Sequence, residues 1–111
     1  MNRDSASILD AYRFAQLILQ FTSGMNKNDF LSDIKTQAAV IYEITLLGEA
    51  FKRLSQDFRS QYPEIPYSQI IGMRNKLTHD YDGIDLDIVW KAVNKDIPEL
   101  LLLIEPLLPP S

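Results

Sequence analysis

Ile34-Lys35-Thr36-Gln37-Ala38-Ala39-Val40-Ile41-Tyr42-Glu43-Ile44-Thr45-Leu46-Leu47-Gly48-Glu49-Ala50-Phe51 is the stretch that decides the fold. Ile34, Ala38, Ile41, Ile44 or Thr45, Gly48 and Phe51 return every three or four residues, the spacing that lines one face of an α-helix. Leu54 and Phe58 keep the period and no proline intervenes, so the pattern predicts one helix from Asp29 or Asp33 to about Gln61. A helix of that length would be the spine of the protein. Gly48 in its middle costs about 1 kcal/mol relative to alanine. Either a second helix crosses closely there or the cost is tolerated.

Toward the N-terminus, Ile8, Tyr12, Ala15, Leu19 and Thr22 recur at helical spacing, with Ala11 and Ile18 widening the stripe. They predict a first helix from Ser5 or Ser7 to about Ser23, with Ser7 and Asp10 as a capping pair and Gly24 as its stop. Met25 to Asn28 reads as a connection, and Asn28 or Ser32 as the next cap. Toward the C-terminus, Tyr62-Pro63-Glu64-Ile65-Pro66 cannot continue a helix, because each proline lacks an N–H and pushes its predecessor to an extended conformation. Pro66 suits the first turn of a third helix, Tyr67 to Thr78 or Tyr81, which ends at Asp82-Gly83. A fourth begins near Asp85 or Asp87, and Pro98 kinks or restarts it. The expectation is therefore an all-α, antiparallel four-helix bundle with a kinked or split C-terminal helix.

The 111 residues fit one domain, 1–111, and with 46% apolar residues the chain can bury a core without a disulfide or metal staple. Cysteine is absent, which removes thiolate chemistry. No export signal or membrane-spanning run is read, so a cytoplasmic protein without a membrane partner is expected. A net charge of −4 excludes coating of nucleic acid by bulk electrostatics but leaves room for a local cationic cleft. Lys52, Arg53, Arg59, Lys76, Lys91 and Lys95 either line such a groove or form a solvated face; spacing does not choose between them.

Chemistry concentrates in Arg74-Asn75-Lys76-Leu77-Thr78-His79-Asp80-Tyr81, which holds the only histidine. Residues five apart on a helix are rotated by about 140° and lie about 7.5 Å apart along the axis, so Arg74 and His79 diverge. Asn75 and His79, four apart, share a face. A phosphate over the groove, or a second copy of the chain across a twofold axis, would bring the groups together. Arginine offers a permanent planar cation and histidine a proton carrier near neutral pH. These suffice for metal-free RNA cleavage, with His79 moving the proton and Arg74 stabilising the phosphate. The plainer alternatives are a capping histidine, an arginine in a salt bridge and Tyr81 as a core aromatic. Asp80, Asp82, Asp85 and Asp87 lack the glutamate a calcium loop needs at its twelfth position, where Lys91 stands. With one histidine and no cysteine, zinc is not expected either, and no metal or other cofactor is assigned.

The blocks Leu47-Gly48-Glu49-Ala50, Pro63-Glu64-Ile65-Pro66, Gly72-Met73-Arg74-Asn75, His79-Asp80-Tyr81, Val89-Trp90 and Asp96-Ile97-Pro98 resemble, in order and spacing, the HepT-like toxins of the HEPN superfamily, from about Ala38 onward. The family's Arg-x4-His-x-Tyr pattern falls on Arg74, His79 and Tyr81, with Asn75 as the polar residue after the arginine. The resemblance implies an all-α bundle that dimerises so that two motifs face one cleft, acting as a metal-independent RNase toxin. It also implies a partner, an MntA-type minimal nucleotidyltransferase antitoxin that transfers AMP to Tyr81, in a homodimer or a larger hetero-oligomer. Tyr67 stands where many relatives have tryptophan, and Thr78 where an aliphatic residue is common. The competing expectation is a non-catalytic helical partner or substrate of a nucleotidyltransferase, which needs Tyr81 but not His79 as a proton carrier.

Overall fold

The computed structural model describes residues 2–79 and 83–110. Among them the helices are α1 (Arg3–Phe21), α2 (Lys27–Leu31), α3 (Ile34–Lys52), α4 (Gln56–Gln61), α5 (Tyr67–His79), α6 (Leu86–Lys91) and α7 (Ile97–Ile104). A π-helical turn, Ala92–Asp96, joins α6 to α7, and a 3-10 turn, Glu105–Leu107, follows. The long rods are α1, α3, α5 and the split C-terminal rod, which is the all-α bundle expected.

α3 lies centrally, with α1 packed along it and α5 crossing it, while α7 returns to close against α1. Ile8, Ala11, Ala15 and Ile18 of α1 meet Val40, Ile44, Leu47 and Phe51 of α3 and Ile97, Leu100 and Ile104 of α7 in one buried cluster. Each large aliphatic side chain fully withdrawn from water contributes about 1.5–3 kcal/mol, so this seam is the main source of stability. Phe30 plugs one end, its ring 5.4 Å from that of Trp90.

The spine is shorter than its hydrophobic period suggests. α3 stops at Lys52 and a new helix starts at Gln56, although the sequence has neither proline nor glycine there. Ser55 makes the break: its Oγ accepts from the Phe58 N–H at 3.1 Å, capping α4. Its own N–H and hydroxyl donate to the Asp4 carboxylate at 2.8 and 2.6 Å. Arg59 then reaches back to donate to the Phe51 and Lys52 carbonyls at 3.0 and 3.4 Å, satisfying the open end of α3. The stop is enforced from across the bundle, so apolar spacing alone could not report it.

Other boundaries differ for the same kind of reason. α1 starts at Arg3, with Asn2 Oδ1 accepting from the Ser5 N–H at 2.7 Å. Ser7 is buried within α1 and Asp10 faces Arg53, so neither caps it. Gly24, at φ 78°, does stop the first rod, in the left-handed region that suits glycine. The expected connection, Met25 to Asn28, overlaps the start of α2, which is capped by Asn26 and Asp29 in a reciprocal box, and α3 is capped by Asp33. Neither Asn28 nor Ser32 is an N-cap; Ser32 instead closes α2 at its C-terminal end. Asp85 caps α6, accepting from the Asp87 and Ile88 N–H groups. In the last rod Pro98 has no N–H, and its ring would collide with the carbonyl four residues back in a regular helix. The chain widens ahead of it, so that the Ile97 N–H donates to the Ala92 carbonyl, five residues back.

Candidate active site

α5 crosses α3 at Gly48. A Cβ placed on that glycine would stand 2.2 Å from Arg74 Cβ and 2.6 Å from Arg74 Cγ, far inside contact distance. The glycine is therefore the seat of Arg74, and the close helix crossing expected from its position in α3 is present. The neighbouring residue supplies the other half of the seat. Arg74 Nη2 donates to Glu49 Oε1 in an ion pair. Arg74 Nη1 donates to Asn75 Oδ1 at 2.9 Å, and the buried Nε has no hydrogen-bond partner among the described residues.

With its side chain only 17% exposed, the guanidinium is fixed by packing and charge together. Pairs of this kind, partly withdrawn from water, are costlier to break one-sidedly than the 0.2–1 kcal/mol typical of exposed pairs. The salt bridge weighed as the plain reading of Arg74 thus exists, and it aims the fork. Glu49 was not singled out by charge or periodicity, because its partner lies 25 residues away. Its signals in the sequence are adjacency to a glycine that needs an explanation and membership of the block Leu47-Gly48-Glu49-Ala50, neither of which names its partner.

His79 is the last described residue of α5 and is exposed. Among the described residues no hydrogen bond joins it to Arg74, in keeping with their divergence around the helix. Asn75 belongs to both sides: it accepts from Arg74 and, four residues before His79, shares its face. Thr78 Oγ1 donates to the Arg74 carbonyl at 2.9 Å, a local bond within the helix. Tyr81, with Asp80 and Asp82, lies outside the described residues.

The remaining candidates separate. Asp85 is a helix cap and Asp87 pairs with Lys27 at 3.1 Å. Among the described residues no group of three His, Asp or Glu side chains is placed to hold a metal ion, and no helix is long and apolar enough to cross a membrane. Arg53 pairs with Asp10 at 3.4 Å, and Arg59 caps α3 with its guanidinium carbon 5.6 Å from the centre of the Tyr67 ring. Burial pushes the Tyr67 phenol up to about 12, and its hydroxyl donates to the Tyr62 carbonyl at 2.8 Å. This aromatic is thus a structural post beside the break after α4. Lys76, Lys91 and Lys95, in contrast, come together along one groove.

A family model described as Ribonuclease HepT-like matches residues 11–107. A protein of Thermococcus cleftensis named "Probable ribonuclease HepT" is 46% identical over 85 residues, 77% of this chain and 77% of its own. A "Putative RNase" of Methanocaldococcus jannaschii is 34% identical over 95 residues, covering 86% of this chain and 87% of its own, and a second from the same organism is 36% identical over 95 residues, covering 86% and 82%. No solved structure matches the chain. The match spans α5 with both Arg74 and His79, and it agrees with the family resemblance carried by the sequence blocks around them: this chain belongs to the ribonuclease HepT-like family of the HEPN superfamily.

Proposed function

We propose that the protein is a metal-independent endoribonuclease, the toxin of a toxin–antitoxin pair, with Arg74 and His79 as its working residues. The observation that carries the reading is the family match over residues 11–107, whose relatives bear ribonuclease names. The site chemistry supports it. His79, exposed at the end of α5, takes the proton of a ribose 2′-hydroxyl. The freed oxygen attacks the adjacent phosphorus, and the bond to the 5′-oxygen breaks. That leaving oxygen takes up a proton from a second imidazolium, giving a 2′,3′-cyclic phosphate and a 5′-hydroxyl. Arg74, held by Glu49 and Asn75, offers its charge to the phosphate oxygens as their negative charge grows.

A single copy keeps Arg74 turned to α3 and His79 on a different side of α5. Pairing of two copies about a twofold axis supplies two such sets to one cleft. Ile34 and Tyr42, 80% and 63% exposed on α3, offer apolar surface for a partner. A cognate minimal nucleotidyltransferase would neutralise the toxin at Tyr81. The phenol oxygen attacks the α-phosphorus of ATP, pyrophosphate leaves and the phenol proton passes to solvent. The added phosphate and nucleoside then bar RNA by charge and bulk.

Purified protein is expected to cleave single-stranded RNA in the presence of EDTA. His79→Ala and Arg74→Lys should each lower the rate by about 100-fold or more with unchanged helix content by circular dichroism. Absence of cleavage by the wild-type protein would sink the nuclease reading. If Tyr81 still gained AMP in that case, the non-catalytic partner role would stand in its place.

A further inference from the structure

The helix face of α5 that carries Gln69, Gly72, Met73 and Lys76 does not rest on α6 or α7. A groove of about 650 Å³ separates them. Lys91 and Lys95 stand on its far wall, Lys91 as the last residue of α6 and Lys95 within the π-helical segment that follows. The wide turn thus puts half of the chain's six lysines along one channel in a molecule whose net charge is −4. Among the described residues neither Lys91 nor Lys95 forms an ion pair, whereas Lys27, Arg53 and Arg74 all do.

The channel has a direction. Ile88 lies with Lys76, Leu77 and Asp85 around a small adjoining cavity, so Lys76 and Lys91 mark the end of the groove near His79, which follows Lys76 by three residues, and the Asp85 carboxylate there is engaged as the cap of α6. Asp96 and Glu99 line the groove farther along the C-terminal rod, toward Gln69. The floor between the lysines is Gly72, Met73, Ile88 and Ala92, apolar apart from the bare backbone at Gly72, where nothing lies within 4 Å of an added Cβ.

We propose that this groove is the track for single-stranded RNA leaving the His79 site, with Lys76, Lys91 and Lys95 each meeting a backbone phosphate, and that Asp96 and Glu99 repel the phosphates beyond and so end the track. The proposal rests on the ribonuclease reading for the identity of the ligand. A cationic groove with a small apolar floor and an acidic end matches a short run of flexible phosphodiester better than a duplex, whose rigid backbone would carry its phosphates on past the acids. Each phosphate neutralised by a lysine releases condensed counterions, which makes the contact visible as salt dependence.

Binding separates this proposal from the cleavage mechanism. Full-length protein carrying His79→Ala is titrated with a fluorescently labelled RNA of about 10 nucleotides at several KCl concentrations, and compared with the same protein carrying Lys76→Gln, Lys91→Gln and Lys95→Gln. A third protein replaces three exposed cations outside the groove, Arg3→Gln, Arg13→Gln and Lys35→Gln, to match net charge. The track predicts that the slope of log K against log[salt] flattens by about 2 on loss of the groove lysines, at about 0.7 per phosphate contact, and stays near the parent's in the matched control. An unchanged slope, an equal loss in both variants, or a change in oligomeric mass without a change in RNA affinity would each overturn it, the last assigning the groove to a protein contact. Because His79 is absent from all three proteins, failure here leaves the cleavage reading intact, and failure of cleavage leaves this result legible.

Discussion

Replacing Gly48 by alanine sets two known quantities against each other. A buried position inside α3 gains up to about 1 kcal/mol of helix propensity on going from glycine to alanine. The new methyl, however, would sit 2.2 Å from Arg74 Cβ, an atom fixed to the backbone of α5 rather than the tip of a flexible chain. Relief therefore requires α5 to move off α3 by more than an ångström, at an overpacking cost of about 1–3 kcal/mol. Lifting α5 also stretches the Glu49–Arg74 pair. Net destabilisation of about 1–2 kcal/mol is expected, which lowers Tm by about 4–10 °C for a domain of this size. Displacing the arginine by that much should also cut RNA cleavage about 10- to 100-fold in protein that is still folded. Thermal unfolding followed by circular dichroism, paired with initial cleavage rates well below Tm, reads both effects. Gly72→Ala is the internal control: with nothing within 4 Å of its added Cβ, it should gain about 0.5–1 kcal/mol. A Gly48→Ala protein as stable and as active as the wild type would refute the crossing geometry and the seating of Arg74.

Two further outcomes follow from the same packing. Tyr67→Phe removes the hydroxyl that donates to the Tyr62 carbonyl at 2.8 Å; it should cost about 1 kcal/mol in urea unfolding without altering helix content. The acid side of the stability profile should report Asp4 and Asp33. The Ser55 hydroxyl and N–H hold the Asp4 carboxyl below the usual carboxylate range, and the Thr36 N–H and hydroxyl do so for Asp33. Both contributions are complete above the unfolded value near 3.8 and fade as pH falls through the lower folded values. Tm measured from about pH 6 to about pH 2 should therefore drop less steeply in Asp4→Asn than in the wild type, and a parallel drop would argue against the long-range cap.

The all-helical class was legible because its signal is local: apolar spacing, two prolines around Glu64, a glycine at position 24 and an aspartate before Leu86 each act within a turn or two. Even the close crossing at Gly48 could be inferred, since glycine in a helix interior is a cost that needs a use. The break between α3 and α4 was hidden, because Ser55 works as a stop only with Asp4 beside it, 51 residues away. The start of α1 was hidden for a milder reason, Asn2, Ser5 and Ser7 all being plausible caps by residue type. At the candidate site, the sequence marked Arg74, Asn75 and His79 as candidates and predicted that the arginine and histidine diverge around the helix. It did not supply Glu49, whose role exists only where α3 and α5 cross, nor the gathering of Lys76, Lys91 and Lys95, which depends on the wide turn before Pro98.

The closure of α7 against α1 bears on how the protein comes into being. Ile8, Ala11, Ala15 and Ile18 share their core with Ile97, Leu100 and Ile104, so everything up to α7 must be synthesised before the first helix has its full cover. During translation α1 and α3 can associate early, but the side of α1 that α7 will cover stays open until the last rod has left the ribosome. The core shared by α1 and α7 is therefore the last part of the bundle to form.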